Sequence, residues 1–353
     1  MFWTGSRRRF LATLSVVGLS LKQISCQSPG ISMQSPEFAR PKPIQPGATI
    51  GLICPGSPVL PAEVESAVNY LEGRGYAVKR GRHLTEPYLC DMSGTDAQRA
   101  ADLNGMIADE AVDAVFTLRG GYGTHRLLGA VNYAALARHP KWITGFSDVT
   151  SLHNALFQRL GLLSLHGPAF AYTFGDEAVP KHVERAWWNT VEGIDLQGEW
   201  ACFTDPAWQR EQPIEVWVGG QARGRLYGGN LSRLASLAGT PYAIPEGQPL
   251  ILFLEEVGEA AYRIDRFLTQ LRESGALASV QGVLVGDHTV DDDDADERPH
   301  IRASLKDRLT DLGVPVLAGL PIGHTQDNLP VAHGAWVEMD TQVPSVRYAH
   351  SKG

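Results

Sequence analysis

The sequence predicts an α/β protein, with an N-terminal Rossmann-like domain on a parallel sheet followed by a second, β-rich α/β domain. Between residues 47 and 175, short apolar runs alternate with runs of helical period, the pattern of a parallel sheet covered by helices on both faces. Residues 176–214 are Trp-rich without a clear period, so we interpret them as a connection. Strand and helix patterns resume over residues 215–348. A chain of 353 residues is long enough for two domains.

The N-terminal domain is predicted from four strands that alternate with helices. The strands are "ATIGLICPGSPV" with its Gly/Pro/Ser turn, "YAVKRGRHL", "VDAVFTL" and "WITGFS". The helices are "PAEVESAVNYLEGRG", "TDAQRAADLNGMIAD" and "DVTSLHNALFQRLG". We expect Thr95 or Asp96 to cap the second helix and Asp148 or Thr150 to cap the third. Sheets of this kind carry their functional sites at the carboxyl ends of the strands.

The C-terminal domain is predicted from five strands and three helices. The strands are "IEVWVGG", "ARGRLYGGN", "LILFLEEV", "VQGVLVGDH" and "AWVEMD". The helices are "LSRLASLAG", "AAYRIDRFLTQLRESG" and "ASLKDRLTDLG". The acidic stretch Asp287–His300 is interpreted as a solvated loop, with a bound cation as the alternative.

Composition excludes several classes of function. The net charge is −8, from 31 basic and 39 acidic residues, and no dense Lys/Arg cluster occurs in the body of the chain, so we expect no nucleic-acid partner. The four cysteines, at positions 26, 54, 90 and 202, are too sparse for a disulfide framework. No CxxC pair or His/Cys cluster indicates a metal, and no cofactor is expected.

The first thirty residues predict an export signal. A basic "SRRRFL" precedes the apolar run Leu11–Leu21, which is too short to span a bilayer and is typical of a signal peptide. The paired arginines indicate a twin-arginine signal, so we expect an exported, periplasmic protein with a linker over residues 31–46. Membrane attachment is expected only if Cys26 is lipidated.

The segment "RGGYGT", Arg119–Thr124, is the most informative motif. It follows a predicted strand, and its glycines permit a sharp turn and close approach of a substrate to the backbone. A hydroxyl at the start of a following helix lies beside free N–H groups, as at a nucleophile elbow. From local sequence alone, a helix cap is the simpler interpretation of Thr124. A phosphate-binding loop is a weaker one, because neither a Lys-Ser/Thr ending nor G-x-G-x-x-G spacing is present.

A nucleophilic hydroxyl needs a base, and the base needs an orienting partner. His324 is the best candidate base because it lies in the Gly/Pro/Asn-rich segment "GLPIGHTQDNLPVAHG". Glu255 and Glu256 end an apolar strand, and only one of them can face a given site. Surface roles remain open for all three residues. Ser147, in "GFSD", is a rival hydroxyl that we interpret as structural, because Asp148 follows it in a helix-capping context.

Several segments together resemble the LD-carboxypeptidases, the muramoyltetrapeptide carboxypeptidases of peptidoglycan recycling and remodelling. The matching segments cover most of residues 47–345 in order: "SGTDAQRAADLNGMIADEAVDAVFTLRGGYGTHRLL", "PKWITGFSDVTSLHNAL", "LHGP", "GGNLSRLASLAGTPY", "ILFLEEVGEAAYRIDRFLTQL" and "GLPIGHTQDNLPVAHGA". The family is similar to serine peptidases in mechanism, with a Ser-Glu-His triad divided between the two domains. The resemblance places the serine position on Thr124, the glutamate on Glu255 and the histidine on His324.

The resemblance implies a hydrolase that releases terminal D-alanine from a muropeptide, and a homodimer. For this reaction we expect the N–H groups near Gly121 and His125 to bind the oxyanion. Arg119 is the nearest cation for the substrate carboxylate, with a structural role in pinning the loop as the equal alternative. A threonine at the serine position departs from the family, because its β-methyl group restricts χ1. Two alternatives therefore stay open: a microcin-immunity-like peptidase that cleaves acylated aminoacyl nucleotides, and a non-catalytic muropeptide-binding protein.

Overall fold

The computed structural model of the protein describes residues 39–174, 179–193, 199–202, 213–291 and 294–349. The predicted export signal, Cys26, half of the linker and part of the connection lie outside these residues. No helix of the described part of the chain is long and apolar enough to cross a bilayer.

The N-terminal half forms a sheet whose central strands are parallel. The strands of this half are β1 (Thr49–Ile53), β2 (Ala77–Arg80), β3 (Pro87–Tyr88), β4 (Met92–Ser93), β5 (Ala114–Thr117), β6 (Trp142–Gly145) and β7 (Ser164–His166). Its helices are α1 (Pro61–Gly73), α2 (Asp96–Ala108), α3 (Tyr133–Arg138), α4 (Thr150–Leu160), α5 (Phe170–Thr173) and α6 (Lys181–Val191). Strands β2, β1, β5, β6 and β7 are adjacent and parallel in that order, while β3 and β4 form a separate hairpin.

The C-terminal half builds a larger, mixed sheet. Its strands are β8 (Glu199–Cys202), β9 (Glu215–Val218), β10 (Gln221–Asn230), β11 (Leu250–Val257), β12 (Val280–Thr289), β13 (Val316–Ala318), β14 (Val331–His333), β15 (Trp336–Asp340) and β16 (Ser345–Tyr348). Its helices are α7 (Leu231–Leu237), α8 (Ala261–Glu273) and α9 (Glu297–Leu309). The strand order is β8-β16-β15-β10-β11-β12-β13-β9, and β10 to β13 are parallel. Strand β14 instead pairs antiparallel with β7 and so extends the first sheet.

The predicted fold class is confirmed, and each predicted strand and helix contains an element of the same type. The interpretation of residues 176–214 as a connection is incomplete, because it contains α6 and β8. Helix α6 buries Val183, Trp187, Trp188 and Val191, which share one helical face. The Trp187 ring packs edge-on against Phe116 of β5, with the ring centroids 4.8 Å apart. The spacing of these four apolar residues predicts the helix, and packing of the adjacent tryptophans against the first sheet stabilises it.

The two sheets share one apolar core. Ile50 and Phe116 of the first sheet belong to the same cluster of buried side chains as Ile251 and Phe253 of the second. This packing fixes the two sheets against each other and brings the carboxyl ends of β5, β6, β10 and β11 toward one region.

Candidate active site

Glu255 and His324 form the ion-pairing part of the site. Glu255 lies near the end of β11 and is 0% exposed, and its Oε2 is 2.7 Å from Nδ1 of His324. A carboxylate accepts only, so Nδ1 carries the proton that is donated, and Nε2 remains to act as a base. Gly323 makes this contact possible, because a Cβ at its position would lie 3.0 Å from the Cβ of Glu255. The structure thus brings together two of the three predicted catalytic residues.

The surroundings of His324 raise its pKa above the ordinary value. Burial alone lowers the pKa of this imidazole, but the charge and hydrogen bond of Glu255 outweigh it, and Glu256 and Asp287 add to the effect. The imidazolium is therefore stabilised once His324 has taken a proton, as a general base requires.

Glu256 faces a different set of partners from its neighbour. Its carboxylate accepts hydrogen bonds from Asn230 Nδ2 at 2.7 Å and from the backbone N–H of Ser232 at 2.6 Å. Burial, followed by the charge of Glu255, raises the pKa of Glu256. The backbone N–H of Asn230 also donates to Thr150 Oγ1 at 3.0 Å, which joins β10 to helix α4 of the first sheet. The hydrogen bonds of Glu256 therefore link the end of β11, which carries Glu255, to Asn230 and Ser232.

The structure does not support Thr124 as the nucleophile. Its residue is 0% exposed, and its hydroxyl has no hydrogen-bond partner among the described residues. Its backbone N–H instead donates to Asp148 Oδ2 at 2.7 Å. The helix-cap interpretation also fails, because the 3₁₀ turn that starts at Thr124 is preceded by Gly123 and shows no side-chain cap. A hydroxyl that reaches neither solvent nor a base has no means of attacking a substrate.

Ser147 has the geometry that Thr124 lacks. It follows Gly145-Phe146 at the end of β6 and begins a 3₁₀ turn, Ser147–Val149, that leads into helix α4, a strand–turn–helix arrangement. Its φ is 60°, a left-handed conformation that is strained for a residue with a side chain. Ser147 is partly exposed, and the ring of Phe146 beside it lies 4.7 Å from the ring of His324. These features place an accessible hydroxyl at a nucleophile elbow, next to the residue that contacts the candidate base.

Asp148, predicted as a helix cap, has another role. The described N-cap of α4 is Val149, and no side chain caps it. The Asp148 carboxylate is buried and accepts from Thr124 N–H and from Nη1 of Arg233, the latter at 3.3 Å. Asp148 therefore ties the elbow to the glycine-rich loop and to helix α7 of the second sheet.

The glycine-rich loop lies against the elbow. A Cβ on Gly120 would be 3.0 Å from both the carbonyl oxygen of Phe146 and the Cβ of Ser147, and 3.3 Å from the nitrogen of Asp148. Gly121 has a φ of 82°, and a Cβ there would lie 2.2 Å from Ser57 Oγ. The glycines therefore permit close approach to Ser147 and Ser57, which lie in the turns after β6 and β1, whereas the sequence predicted close approach of a substrate.

The other predicted site residues border this loop. Arg119 donates through Nη1 to the carbonyl of Pro58 at 2.9 Å. The ring of His125 contacts Tyr122, with the centroids 5.2 Å apart, and its Nδ1 has no partner among the described residues. Burial lowers the pKa of His125, and the positive charge of Arg233 adds to this against the opposing charge of Asp148.

A cleft with a volume of about 860 Å³ is lined by residues of β12, β13 and α9, and none of Ser147, Glu255 and His324 is among its lining residues. Its lining includes Asp287 and Thr325, whose side chains are hydrogen-bonded at 2.7 Å, and Trp217 and Arg302 farther along. Within the described residues, no group of three or more His, Cys, Asp or Glu is arranged to hold a metal ion.

Comparison with known proteins identifies the family. A model of the LD-carboxypeptidase N-terminal domain matches residues 50–167, and one of the C-terminal domain matches residues 223–339. The chain belongs to the LD-carboxypeptidase family. This confirms the resemblance predicted from the sequence and makes the protein a hydrolase of the carboxypeptidase type.

Three relatives illustrate the range of this LD-carboxypeptidase family. The probable murein peptide carboxypeptidase of Bacillus subtilis is 34% identical over 303 residues, covering 86% of this chain and 92% of the relative. The crystal structure of muramoyltetrapeptide carboxypeptidase from Oxalobacter formigenes matches with a TM-score of 0.69 at 29% identity, covering 85% of this chain and 97% of that one. The microcin C7 self-immunity protein MccF of Escherichia coli is 24% identical over 320 residues, covering 84% and 92%.

Ser147 is the residue whose role sequence reasoning missed. The signal was present in "WITGFSD", where a buried strand runs through Gly145 into a serine and then into a helix. The nucleophile was instead assigned to Thr124 in the neighbouring glycine-rich segment. The G-x-S-x-G form, which would have distinguished the two segments, is absent from both.

Proposed function

We propose that this LD-carboxypeptidase-family protein is a serine-type murein carboxypeptidase in which Ser147, His324 and Glu255 form the catalytic triad. The observation that carries the assignment is the hydrogen bond between fully buried Glu255 and His324, with the Ser147 elbow beside them. Thr124 is assigned a structural role in the loop that packs against the elbow.

The reaction proceeds through an acyl-enzyme. Ser147 Oγ attacks the carbonyl carbon of the scissile peptide bond while Nε2 of His324 accepts the hydroxyl proton. The tetrahedral intermediate then collapses, and His324 returns the proton to the departing amine of the terminal residue. Water, activated by His324, hydrolyses the ester and regenerates Ser147. Glu255 remains ionised throughout, fixes the imidazole tautomer and stabilises the imidazolium.

Backbone groups next to the nucleophile supply the oxyanion site. At a nucleophile elbow, one donor is the N–H of the residue after the nucleophile, which here is Asp148. The second donor comes from a neighbouring loop, and the Gly120–Gly121 segment lies against Asp148 N and Ser147. This assignment keeps Gly121 from the sequence prediction and replaces His125 with Asp148.

The proposed substrate is a murein tetrapeptide, cleaved between an L-centre and the terminal D-alanine. The names of the relatives from Bacillus subtilis and Oxalobacter formigenes support a murein peptide substrate.

The test is incubation of the purified protein with disaccharide tetrapeptide, followed by mass spectrometry of the products. We expect free D-alanine and a tripeptide from the wild type and none from Ser147→Ala. Release of D-alanine by Ser147→Ala at the wild-type rate would reject Ser147 as the nucleophile. No release by the wild type, with tight binding of the tetrapeptide, would support a binding protein. Cleavage of an acylated aminoacyl nucleotide alone would support the microcin-immunity alternative.

Export to the periplasm and assembly as a homodimer are part of the proposal. Export rests on the basic and apolar segments of residues 1–30, and fractionation of cells that express the full chain tests it. Material confined to the cytoplasm would reject it, and extraction only by detergent would support lipidation of Cys26. Light scattering of the purified protein tests the dimer, and a mass of one chain, 38.4 kDa or less after signal removal, would reject it.

A further inference from the structure

The surroundings of the proposed nucleophile are strongly acidic. Asp148, Glu255 and Glu256 are at most 3% exposed, and half-buried Asp287 lies beside the His324 loop. Little water surrounds these carboxyl groups, so any negative charge on them is weakly screened near Ser147.

This field opposes the substrate that the proposed function requires. The present inference rests on that function: the substrate of a carboxypeptidase ends in a carboxylate, one residue beyond the scissile carbonyl. That anion must therefore enter close to Ser147, among the carboxylates just described. An enzyme that binds such a terminus needs a cation at that distance.

Arg233 is placed to supply the positive charge. Its Nη1 lies 3.3 Å from Oδ1 of Asp148, the residue that follows Ser147. The Asp148 side chain is fully buried, whereas that of Arg233 is 23% exposed, so the guanidinium lies between the elbow and solvent. Its Nε and Nη2 are each 3.3 Å from Ser232 Oγ, which orients the plane of the group. A guanidinium has five N–H donors, more than these contacts use.

The other arginines near Ser147 donate hydrogen bonds to loop carbonyl groups or pair with Asp96. Arg119, the cation named by the sequence, donates to the Pro58 carbonyl. Arg99 is 1% exposed and bonds to the Pro55 carbonyl and to Asp96. Arg126 points to the exposed surface, where it pairs with Asp96 at 2.8 Å.

We propose that Arg233 binds the C-terminal carboxylate of the substrate and so makes the enzyme an exopeptidase. Asp148 positions the guanidinium through one N–H, and outward-facing N–H groups hold the carboxylate. The same pairing lowers the negative charge that the entering anion meets. Specificity for a free C-terminus then depends on one side chain of helix α7, that of Arg233.

The experiment compares two tetrapeptides, one with a free C-terminal D-alanine and one with a D-alanine amide. We measure kcat and KM for the wild type, Arg233→Gln and Arg233→Lys, with Arg126→Ala and Arg119→Ala as matched controls. Loss of a charge-assisted hydrogen bond predicts that Arg233→Gln lowers kcat/KM about 10- to 100-fold on the free acid, mainly through KM. We expect less than about a threefold change on the amide. Arg233→Lys recovers part of the loss because it keeps the charge without the fork geometry.

Each other outcome overturns the inference. An equal loss on both substrates would make Arg233 only a clamp for Asp148, and no loss on either would remove it from the site. Selective loss in Arg119→Ala would assign the carboxylate to Arg119. Absence of D-alanine release by the wild type would reject the proposed function itself, and that result is distinct from all of these. Gln keeps a hydrogen-bond donor for Asp148, and a melting temperature close to that of the wild type confirms that the variant is folded.

Discussion

Strands β5 and β6 are neighbours, and each ends in a glycine-containing turn that carries a hydroxyl. After β5, three glycines relieve the steric demands of the turn, and Thr124 is buried behind them. After β6, a residue with a side chain, Ser147, itself adopts the left-handed conformation and stays partly exposed. The turn after β5 relieves its backbone strain with glycine, whereas the turn after β6 keeps a strained conformation at Ser147. The proposed nucleophile is the residue at which the strain is kept.

The sharpest test of this comparison removes each hydroxyl in turn. We expect Ser147→Ala to lower kcat/KM for D-alanine release by about 10⁴-fold or more, as for loss of a nucleophile. We expect Thr124→Val to change it less than about threefold, because the substitution is close in shape and the Thr124 hydroxyl lacks a described partner. The reverse ranking of the two variants would restore the threonine assignment.

The second-largest expected effect concerns His324, the base that accepts the proton of Ser147. Because the folded protein raises the pKa of His324, and a base must be unprotonated, kcat/KM of the wild type falls as the pH drops through that raised value. Glu255→Gln removes the main cause, so the acidic limb of the pH profile moves to lower pH. The wrong tautomer also lowers the maximal rate by about 10³- to 10⁴-fold. An acidic limb that stays in place would show that another group titrates.

Glycine substitutions test whether the glycine-rich loop positions Ser147. A Cβ on Gly120 meets Phe146 and Ser147 at 3.0 Å, whereas a Cβ on Gly129 has nothing within 4 Å. We expect Gly120→Ala to lower kcat/KM about 10- to 100-fold by displacing the nucleophile, and Gly129→Ala to leave it unchanged. Equal activities of the two variants would mean that the loop does not position the elbow.

The smallest expected effect is on stability and comes from histidines behind the elbow. His153, His166 and His333 are fully buried, and burial lowers the pKa of all three, that of His153 to about 4. His153 Nε2 lies 2.8 Å from the Gly145 carbonyl oxygen at the start of the elbow. The unfolded chain therefore binds more protons below pH 6.5, so stability is present above that pH and is lost as the pH falls toward the lowered values.

Urea titrations between pH 7 and pH 5 measure this loss. Each buried histidine contributes a slope that rises, as the pH falls below 6.5, to at most about 1.4 kcal/mol per pH unit. His166→Phe removes one, so we expect its unfolding free energy to fall less steeply by about that amount. His139→Phe, at a half-exposed side chain, is the control and should keep the wild-type slope. Equal slopes for all three proteins would contradict the prediction.

Much of the molecule was predictable because its signals are local. Alternating apolar and amphipathic runs predicted the fold class, and Thr95 caps α2 as expected, accepting a hydrogen bond from Gln98 N–H at 3.3 Å. Strand β14 was not predictable, because three residues carry no period and their pairing with β7 is a long-range contact. Helix α6 was missed although Val183, Trp187, Trp188 and Val191 recur at helical spacing, because the segment was judged from the Trp-rich stretch that begins at Trp187.

The amino-acid sequence was sufficient to predict the α/β architecture and the family, from the period of its apolar residues and from the order of its motifs. The resemblance to the family, and not the residue types alone, chose Glu255 over Glu256 as the partner of His324. Only the tertiary structure decided which hydroxyl serves them. Exposure, a positive φ and a neighbouring base are set by the packing of β6 against the glycine-rich loop and the second sheet, and no local pattern of residue types encodes that packing. Two turns that each carry a hydroxyl after a strand thus differ in the folded protein, one with a buried threonine and the other with a partly exposed, strained serine.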